Sequence, residues 1–348
     1  MLFLALVVVG GAGWYVYEHV LPGLSFGSFS AKAADYEGQG TGPVQVTVNP
    51  GDTGTAIGRT LLDAGVVKSV KAFTEAYGAN PNAAGIQPGV YTLRKEMKAS
   101  EAVAMLAANT GRVEYQVTVP EGYTVEQIVS RASGVTGIPA SEFTKAKKDT
   151  KATGLPAAAK GNYEGWLYPA TYSFDPDVDA TDILSQMIAK TKAELKTLKV
   201  PSSEQEEVLI KASIVEREAS RDKDRPKVAR AIQNRLDNPD GPTGGLLETD
   251  STTAYGLGTP TVPPTQAQNH DPKNPYSTYE HAGLPPGPIA NPGQASIKAV
   301  LNPAPGPWIY WMTVDLDTGE TKFGTTWQDH TDMLAELHAW QTAHAKDK

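Results

Sequence analysis

The chain has 348 residues, enough for about two domains of ordinary size. Its formal net charge is −8 and its basic residues are scattered, which argues against nucleic acid as a partner, because phosphate binding needs a basic face. The absence of cysteine excludes disulfides, thiol nucleophiles, thiolate metal sites and a lipid-modified N-terminal cysteine. No close histidine pair of metal-ligand spacing is present either, so we expect neither a metal nor a cofactor.

The N-terminus, residues 1–22, predicts a single transmembrane helix. No charged residue occurs before Glu18, and aromatic residues at positions 14–17 suit the headgroup boundary of a bilayer. One alternative is a signal peptide cleaved near Ala31-Lys32-Ala33, and a buried core helix is the other. An uncleaved anchor is favoured, because that small-residue site lies well past the apolar stretch.

Residues 23–42 are rich in Gly, Ser and Ala without periodicity, and they predict a flexible linker. Residues 44–93 follow the order strand, Pro-Gly-Asp-Thr turn, helix, helix, strand, which resembles a LysM-type glycan-binding module; we assign this LysM-like subdomain to residues 43–112. Its start, residues 46–53, resembles residues 117–124, and each copy predicts a strand, a turn and a helix. A small structural α+β spacer is the alternative, because no aromatic platform for a sugar is obvious.

The remaining residues, 113–348, form the second predicted domain. An aromatic cluster at 163–169 contains one carboxylate, Glu164, and suits a sugar groove, although a buried aromatic turn is favoured for Trp166 itself. The elements predicted after it are helices over 179–198, 203–220 and 225–236, a loop-rich region with a Pro-dense run at 283–288, a hairpin over 308–314 and 321–325, and a short amphipathic helix from Thr331.

The helix over residues 203–220 carries the candidate chemistry. Ser203 and Glu206 fit a capping box at its start, and its middle is apolar on almost all sides, so it should be buried. Glu216 and Glu218 nevertheless occupy its last turn. Burial and the negative pole of the helix dipole both raise the pKa of a carboxyl group there, as a general acid for glycosidic bonds requires.

The two glutamates point in different directions. They are two positions apart, hence roughly 200° apart around the helix, so one cleft cannot hold both. Helical periodicity favours Glu218 only slightly as the residue that faces a cleft. For either glutamate the alternative is an ion pair with Arg217, Arg221 or Arg225.

Motifs along this domain resemble those of the MltG/YceG-like endolytic murein transglycosylases. The segment from Lys211 to Ala219 resembles the signature helix of that family. The other matching motifs, in chain order, are Glu164-Gly165-Trp166-Leu167-Tyr168-Pro169, Ala231-Ile232-Gln233-Asn234-Arg235-Leu236, Leu247-Glu248-Thr249-Asp250-Ser251-Thr252 with Tyr255-Gly256, Asn274-Pro275-Tyr276-Ser277-Thr278-Tyr279, Gly283-Leu284-Pro285-Pro286-Gly287-Pro288-Ile289, and Asn291-Pro292-Gly293 with Ser296, Phe323, Thr326 and His330. Any one of these motifs is weak evidence, but as an ordered set they are highly specific.

The resemblance implies an α+β protein with an N-terminal transmembrane helix, a LysM-like subdomain and a C-terminal YceG-like lytic-transglycosylase domain on the extracytoplasmic side of the plasma membrane. It implies that Glu218 is catalytic and that peptidoglycan glycan strands are the substrate, cleaved at the β-1,4 bond after N-acetylmuramic acid to leave a 1,6-anhydro end. One carboxyl group suffices, because it protonates the leaving oxygen and then accepts the proton of the sugar's own 6-hydroxyl. Association with peptidoglycan synthases is also implied.

The candidates for holding the sugar all come from the matching motifs. A structural role is the alternative for each of these side chains, which are Glu164, Asn234, Asp250, Tyr255, Tyr276 and Tyr279. The chain departs from the family pattern at Ser251, where proline is usual, and at Ser277, where asparagine is usual; the second change puts a contact with an acetamido group in doubt. Two rival functions are a muramidase that uses water, with Asp250 as its base, and a non-catalytic peptidoglycan-binding scaffold.

Overall fold

The computed structural model describes residues 33–344, and the chain divides into two compact units between Val113 and Glu114. Within the described residues, no helix combines the length and the apolar character needed to cross a membrane. The predicted anchor over residues 1–22 lies outside the described part of the chain.

The N-terminal unit is built on a three-stranded antiparallel sheet. Its elements are β1 (Pro43–Val48), α1 (Gly54–Asp63), α2 (Val70–Ala79), β2 (Gly89–Arg94), α3 (Ala99–Ala107) and β3 (Arg112–Val113). The strand order is β1-β2-β3, with Val46 opposite Tyr91. One core lies between the sheet and the helices and includes Leu61, Phe73 and Leu106. The order strand, helix, helix, strand is as predicted; the likeness to a glycan-binding module stays a prediction.

Residues 33–42, the described part of the predicted linker, are held against this N-terminal unit. The Asp35 carboxylate accepts a hydrogen bond from the Ala99 amide at the start of α3, at 3.0 Å. Gln39 forms an isolated antiparallel bridge with Met97. The segment is therefore not a free tether, because it supplies an acceptor for an otherwise unpaired helix N–H group.

In its described residues, 114–344, the C-terminal unit carries nine α-helices, three of them of seven residues or fewer, and two separate antiparallel strand pairs. Its elements are β4 (Tyr115–Thr118), α4 (Val125–Thr136), α5 (Ala140–Ala146), β5 (Thr171–Phe174), α6 (Ala180–Thr197), α7 (Gln205–Glu218), α8 (Arg225–Asp237), α9 (Asp250–Gly256), α10 (Gln266–Asn269), α11 (Gln294–Leu301), β6 (Tyr310–Asp315), β7 (Glu320–Gly324) and α12 (Trp327–His344). β4 pairs with β5, and β6 pairs with β7 as the predicted hairpin. The mixed helix and strand content agrees with the predicted fold class.

The two similar stretches of sequence fold alike, one in each unit. In the first, the Thr53 hydroxyl accepts a hydrogen bond from the Ala56 amide at 3.2 Å. In the second, Thr124 and Gln127 form a complete capping box at the start of α4. A threonine N-cap satisfies a backbone N–H group that the helix itself leaves unpaired, which explains why both helices begin where the sequence predicts.

Helix α7 lies between two hydrophobic clusters of the C-terminal unit. Val208, Leu209 and Ala212 belong to the larger cluster, which includes β4, α4 and α6. Ile214 and Val215 belong to a second cluster with α8. Because α7 packs against hydrophobic clusters on two sides, it needs apolar residues on both faces. This explains why the middle of the helix is apolar on almost all sides.

Two helix starts differ from the sequence prediction. The α7 N-cap is Glu204, without a side-chain capping bond, so the predicted capping box of Ser203 and Glu206 is wrong. Glu206 instead accepts a hydrogen bond from the Trp166 indole N–H at 2.8 Å. The last helix, α12, begins at Trp327 rather than Thr331. Thr326 and Asp329 cap each other's backbone amides there, which starts the helix four residues earlier.

The aromatic motif at 163–169 forms a buried turn. Trp166 is fully buried, as favoured from the sequence. Gly165 adopts a φ of +81°, and a Cβ atom there would lie 2.6 Å from the Pro288 side chain. Only glycine meets both conditions, so this position packs the motif against the Pro-dense loop.

Candidate active site

Glu218 is the last residue of α7, and the chain leaves the helix in an extended conformation at Ala219. The Glu218 side chain is partly exposed. Its Oε1 accepts a hydrogen bond from the Ser251 hydroxyl at 2.6 Å, and its Oε2 accepts one from the Trp311 indole N–H at 3.2 Å. Each carboxyl oxygen has one of these neutral donors and so keeps a lone pair for a further partner.

Burial raises the pKa of the Glu218 carboxyl group above its ordinary value, and this is the largest effect on it. The hydrogen bonds from Ser251 and Trp311 act in the opposite direction because they favour the charged form, whereas the nearby charge of Asp250 raises the pKa further. The net result is a raised pKa. Glu218 therefore keeps its proton to a higher pH than an exposed glutamate does.

Glu216 has a different environment, although it lies in the same helical turn. Its Oε1 lies 2.9 Å from the Arg225 guanidinium, and both side chains are largely buried. Its Oε2 accepts hydrogen bonds from the Gly293 amide at 3.0 Å and the Ser296 hydroxyl at 2.8 Å. The ion-pair alternative thus holds for Glu216, which fastens α7 to α8 and to the start of α11.

A cavity of about 420 Å³ opens in front of Glu218; we call it the Glu218 cavity. One part of its lining is polar and the other is aromatic. The polar residues are Glu218, Arg235, Glu248, Thr249, Asp250 and Thr313, and the ring-bearing residues are Tyr279, Tyr310, Trp311, Trp327 and His330. Asp250 Oδ1 accepts hydrogen bonds from the Tyr279 hydroxyl and the Asn269 amide group, both at 2.8 Å. Such a lining suits a neutral polyhydroxy ligand with apolar faces.

Arg235 positions the aromatic part of this cavity. Its buried guanidinium donates hydrogen bonds to the Ile309 carbonyl at 2.6 Å and to the Leu247 carbonyl at 2.5 Å. It also lies 5.4 Å from the Tyr310 ring centroid and 4.9 Å from the Trp311 ring centroid. These contacts join α8 to the hairpin, and they hold the indole that donates to Glu218.

A second and larger cavity, of about 790 Å³, does not contain Glu218; we call it the Glu164 cavity. Its lining includes Glu164, Tyr255 and Tyr276. The Glu164 side chain is only 3% exposed, although it borders this space. It accepts hydrogen bonds from the Val125 amide at 3.1 Å, the Asn291 side chain at 2.7 Å and the Tyr255 hydroxyl at 3.1 Å.

Burial raises the pKa of Glu164 to about 7. The donors around it lower that pKa, but they do not cancel the cost of burial. Three separate segments of the C-terminal unit meet at this carboxyl group. Glu164 therefore joins these three segments and also borders the Glu164 cavity.

The structure divides the seven residues predicted for the site into three groups. Glu218, Asp250 and Tyr279 line the Glu218 cavity, and Glu164, Tyr255 and Tyr276 line the Glu164 cavity. Asn234 lines neither cavity: its side chain donates to the carbonyls of Gly306 at 3.0 Å and Trp308 at 2.8 Å.

The two departures from the family pattern also differ in their surroundings. Ser277 is fully buried, donates to the Asn269 carbonyl and lines neither cavity. Ser251 reaches Glu218 itself. Sequence analysis identified Ser251 only as a departure, and it gave no role to Trp311, Arg235 or Glu248. The one sequence signal that could have identified Trp311 is the closeness of Trp308, Tyr310 and Trp311 in the predicted hairpin. Within residues 33–344, no group of His, Asp and Glu side chains is arranged to hold a metal ion.

Fold and site together define a mixed α/β protein in which one partly buried glutamate, at the end of a buried helix, faces a polar and aromatic cavity. The family model that matches this chain is the YceG-like family, over residues 46–336. The chain belongs to that family.

Relatives of this chain carry the name endolytic murein transglycosylase. The protein from Bacillus subtilis (strain 168) is 30% identical, and the match covers 82% of each chain. The protein from Streptococcus pneumoniae (strain D39) is 28% identical over 97% of this chain, which spans 64% of that relative's length. A crystal structure of a yceG-like protein from Listeria monocytogenes is similar with a TM-score of 0.53 and 27% identity, covering 84% of this chain and 99% of the other.

Proposed function

We propose that this chain is an endolytic murein transglycosylase that cleaves the MurNAc-β-1,4-GlcNAc bond within peptidoglycan glycan strands and leaves 1,6-anhydroMurNAc ends. The observation that carries the proposal is the state of Glu218. It has a raised pKa, spare hydrogen-bonding capacity and direct access to a cavity. The activity named for the relatives supports the same conclusion.

In the proposed reaction, Glu218 acts first as an acid and then as a base. Its proton moves to the bridging oxygen, which becomes the 4-hydroxyl of the departing GlcNAc as the bond from C1 of MurNAc to that oxygen breaks. The 6-hydroxyl oxygen of the same MurNAc bonds to C1 and closes the anhydro ring, and its proton returns to Glu218. No water enters and the carboxyl group is regenerated, so a single acid/base residue completes the cycle.

Ser251 and Trp311 have a defined part in this cycle. Glu218 is transiently a carboxylate between the two proton transfers, and both residues donate hydrogen bonds to it. Donors to the charged form stabilise it, which limits how strongly burial opposes the loss of the proton. The pair thus keeps Glu218 able both to give and to take a proton.

A muramidase that uses water is the second candidate function, because Asp250 lies in the same cavity as Glu218. Two carboxyl groups flanking one bond are the usual arrangement for glycoside hydrolysis. Asp250 already accepts hydrogen bonds from Tyr279 and Asn269.

Product analysis separates these functions. The full chain, purified in detergent, would be incubated with peptidoglycan sacculi and the fragments weighed by mass spectrometry. Fragments one water lighter than ordinary reducing ends, absent with Glu218→Gln, support the transglycosylase. Ordinary reducing ends that vanish with Asp250→Asn support the muramidase. Binding to sacculi without any new ends supports a non-catalytic scaffold.

We further propose that residues 1–22 anchor the protein in the plasma membrane, with the catalytic unit on the extracytoplasmic side. The uncharged sequence before Glu18 supports this, and the requirement for peptidoglycan as substrate sets the side. Fractionation of cells, followed by protease treatment of intact spheroplasts, tests it. Protein in the soluble fraction, or protected from protease, contradicts the proposal.

We also propose that residues 43–112 form a LysM-like subdomain that binds glycan, and that the protein acts beside peptidoglycan synthases during wall assembly. The observed order β1, α1, α2, β2 supports the first part. Pull-down of residues 33–113 with insoluble peptidoglycan tests it, and a lack of binding contradicts it. Crosslinking in cells tests the second part, which fails if no synthase is captured.

A further inference from the structure

Trp327 is an exposed aromatic residue at the Glu218 cavity. Its side chain is 69% exposed, the highest value among the large apolar residues in the described part of the chain. It lines the same cavity as Glu218. An indole left in water forgoes the free energy of burial, and a ligand in the cavity that covers its face would recover that free energy.

The position of Trp327 is fixed by the start of α12. The Asp329 carboxylate accepts hydrogen bonds from the amides of Thr325 at 2.8 Å and Thr326 at 2.9 Å. The Thr326 hydroxyl accepts one in return from the Asp329 amide at 3.1 Å. This reciprocal cap fixes the backbone of Trp327 as the first residue of the helix.

Two rings support the indole from the protein side. The His330 ring centroid lies 4.9 Å from that of Trp327 at an angle of 39°, and the Tyr310 centroid lies 6.2 Å away at 72°. Burial lowers the pKa of His330, with the nearby charge of Arg235 acting in the same direction. The imidazole is therefore a neutral packing surface at neutral pH.

A continuous series of side chains joins this indole to the catalytic candidate. Tyr310 contacts Trp327 on one side and the Arg235 guanidinium on the other. Arg235 contacts the Trp311 ring, and the Trp311 indole N–H donates to Glu218. The platform and the proton donor are thus positioned by one set of contacts, and both face one cavity.

We infer that Trp327 is the stacking platform of a glycan subsite in the Glu218 cavity, where it packs against the apolar face of one pyranose ring of the strand. This inference rests on the proposed function and deepens it. A pyranose has an apolar face of C–H groups and an edge of hydroxyl and acetamido groups. The indole matches the face, and the polar lining at Glu248, Asp250 and Thr313 matches the edge.

The test measures the formation of anhydro ends by the full chain in detergent, with peptide-free glycan strands as substrate. Trp327→Ala is compared with Trp327→Phe, which keeps an aromatic face, and with Leu316→Ala. Leu316 is the control because it is 54% exposed and does not line the cavity. We expect KM to rise about tenfold in Trp327→Ala, which corresponds to about 1.4 kcal/mol. We expect kcat to change much less. Trp327→Phe should recover most of the wild-type KM because it keeps an aromatic face, and Leu316→Ala should match the wild type.

Binding of the same variants to insoluble glycan strands, measured by sedimentation, keeps the two proposals distinguishable. If Trp327→Ala keeps the KM and the glycan binding of the wild type, the proposed subsite is overturned. The proposed function nevertheless survives if anhydro ends still form. If the wild type forms none, the proposed function fails; weakened binding in Trp327→Ala alone then still supports the platform, and unchanged binding overturns it.

Discussion

The Glu218 cavity and the Glu164 cavity adjoin opposite ends of one short helix. Asp250 begins α9 and lines the first, whereas Tyr255 and Gly256 end α9 and line the second. From Asp250 to Tyr255 the rise is only about 7.5 Å. Each cavity holds a glutamate whose pKa is raised by burial.

The two glutamates differ in how much hydrogen-bonding capacity their carboxyl oxygens keep. Glu164 has three donors from separate segments and is 3% exposed. Glu218 has one donor on each oxygen and is open to its cavity. A raised pKa therefore does not by itself identify an acid catalyst, because burial raises the pKa of a carboxyl group whatever its role. Glu218 differs from Glu164 in having spare hydrogen-bonding capacity that faces its cavity.

The largest expected effect comes from exchanging each glutamate for glutamine. We expect Glu218→Gln to lower the rate of anhydro-end formation by roughly 10²–10⁴-fold, because it removes the transferable proton. Glu164→Gln should keep most of kcat per folded molecule. Glu216→Gln is the matched control from the same helical turn; it should lower stability by about 3–5 kcal/mol, because it leaves Arg225 without its buried partner. An equal loss of kcat in all three variants would contradict the distinction.

The next largest effect is on how the free energy of unfolding changes with pH. The Glu164 carboxyl group stays protonated up to a pH of about 7 in the folded state, whereas in the unfolded chain it ionises near its ordinary value of 4.5. Between these pH values the folded state binds more protons, so the free energy of unfolding falls as pH rises, by on the order of 3 kcal/mol, and then levels off.

Urea unfolding of wild type and Glu164→Gln, monitored at pH 5 and pH 7.5, checks this prediction. The variant should lack that part of the pH dependence. Glu336→Gln, at an exposed ion pair with Lys322, is the control and should match the wild type. Parallel pH profiles for wild type and Glu164→Gln would show that Glu164 titrates normally.

A smaller effect concerns the two tyrosine hydroxyls, one in each cavity. Tyr255 donates to Glu164 and Tyr279 donates to Asp250. We expect Tyr255→Phe to lower the free energy of unfolding by about 1–3 kcal/mol, because a buried carboxyl group loses a donor, with KM unchanged. We expect Tyr279→Phe to raise KM with little loss of stability. Chemical denaturation measures the stability of both variants, and steady-state kinetics measures their KM. A raised KM in Tyr255→Phe together with a loss of stability in Tyr279→Phe would contradict the different roles given to the two cavities.

The smallest expected effect is a shift in the pH profile of activity. Ser251 donates to Glu218 and so lowers its pKa, against the larger effect of burial. Removing the hydroxyl in Ser251→Ala should raise that pKa further. Because the acid must be protonated, activity falls as pH rises through the pKa, and the alkaline limb of kcat should move to higher pH. Ser251→Pro, the residue usual in the family, should move it in the same direction. An unmoved limb, or one moved to lower pH, would contradict this role.

The sequence by itself predicted those features that depend on local spacing. Thr53 and Thr124 began their helices because a threonine oxygen accepts from an amide close along the chain. The apolar residues of α7 predicted a buried helix, and their period predicted that Glu216 and Glu218 would face different surroundings. The ordered motifs predicted the family, and the family match confirmed it.

Only the tertiary structure decided which residues share a cavity, since those contacts join segments far apart in the chain. Glu218 meets Ser251 and Trp311, at sequence separations of 33 and 93 residues. Glu164 meets Asn291 at a separation of 127 residues, a contact that no local spacing predicts. Sequence spacing fixes directions within one helix, but the partner of a side chain depends on how distant segments pack.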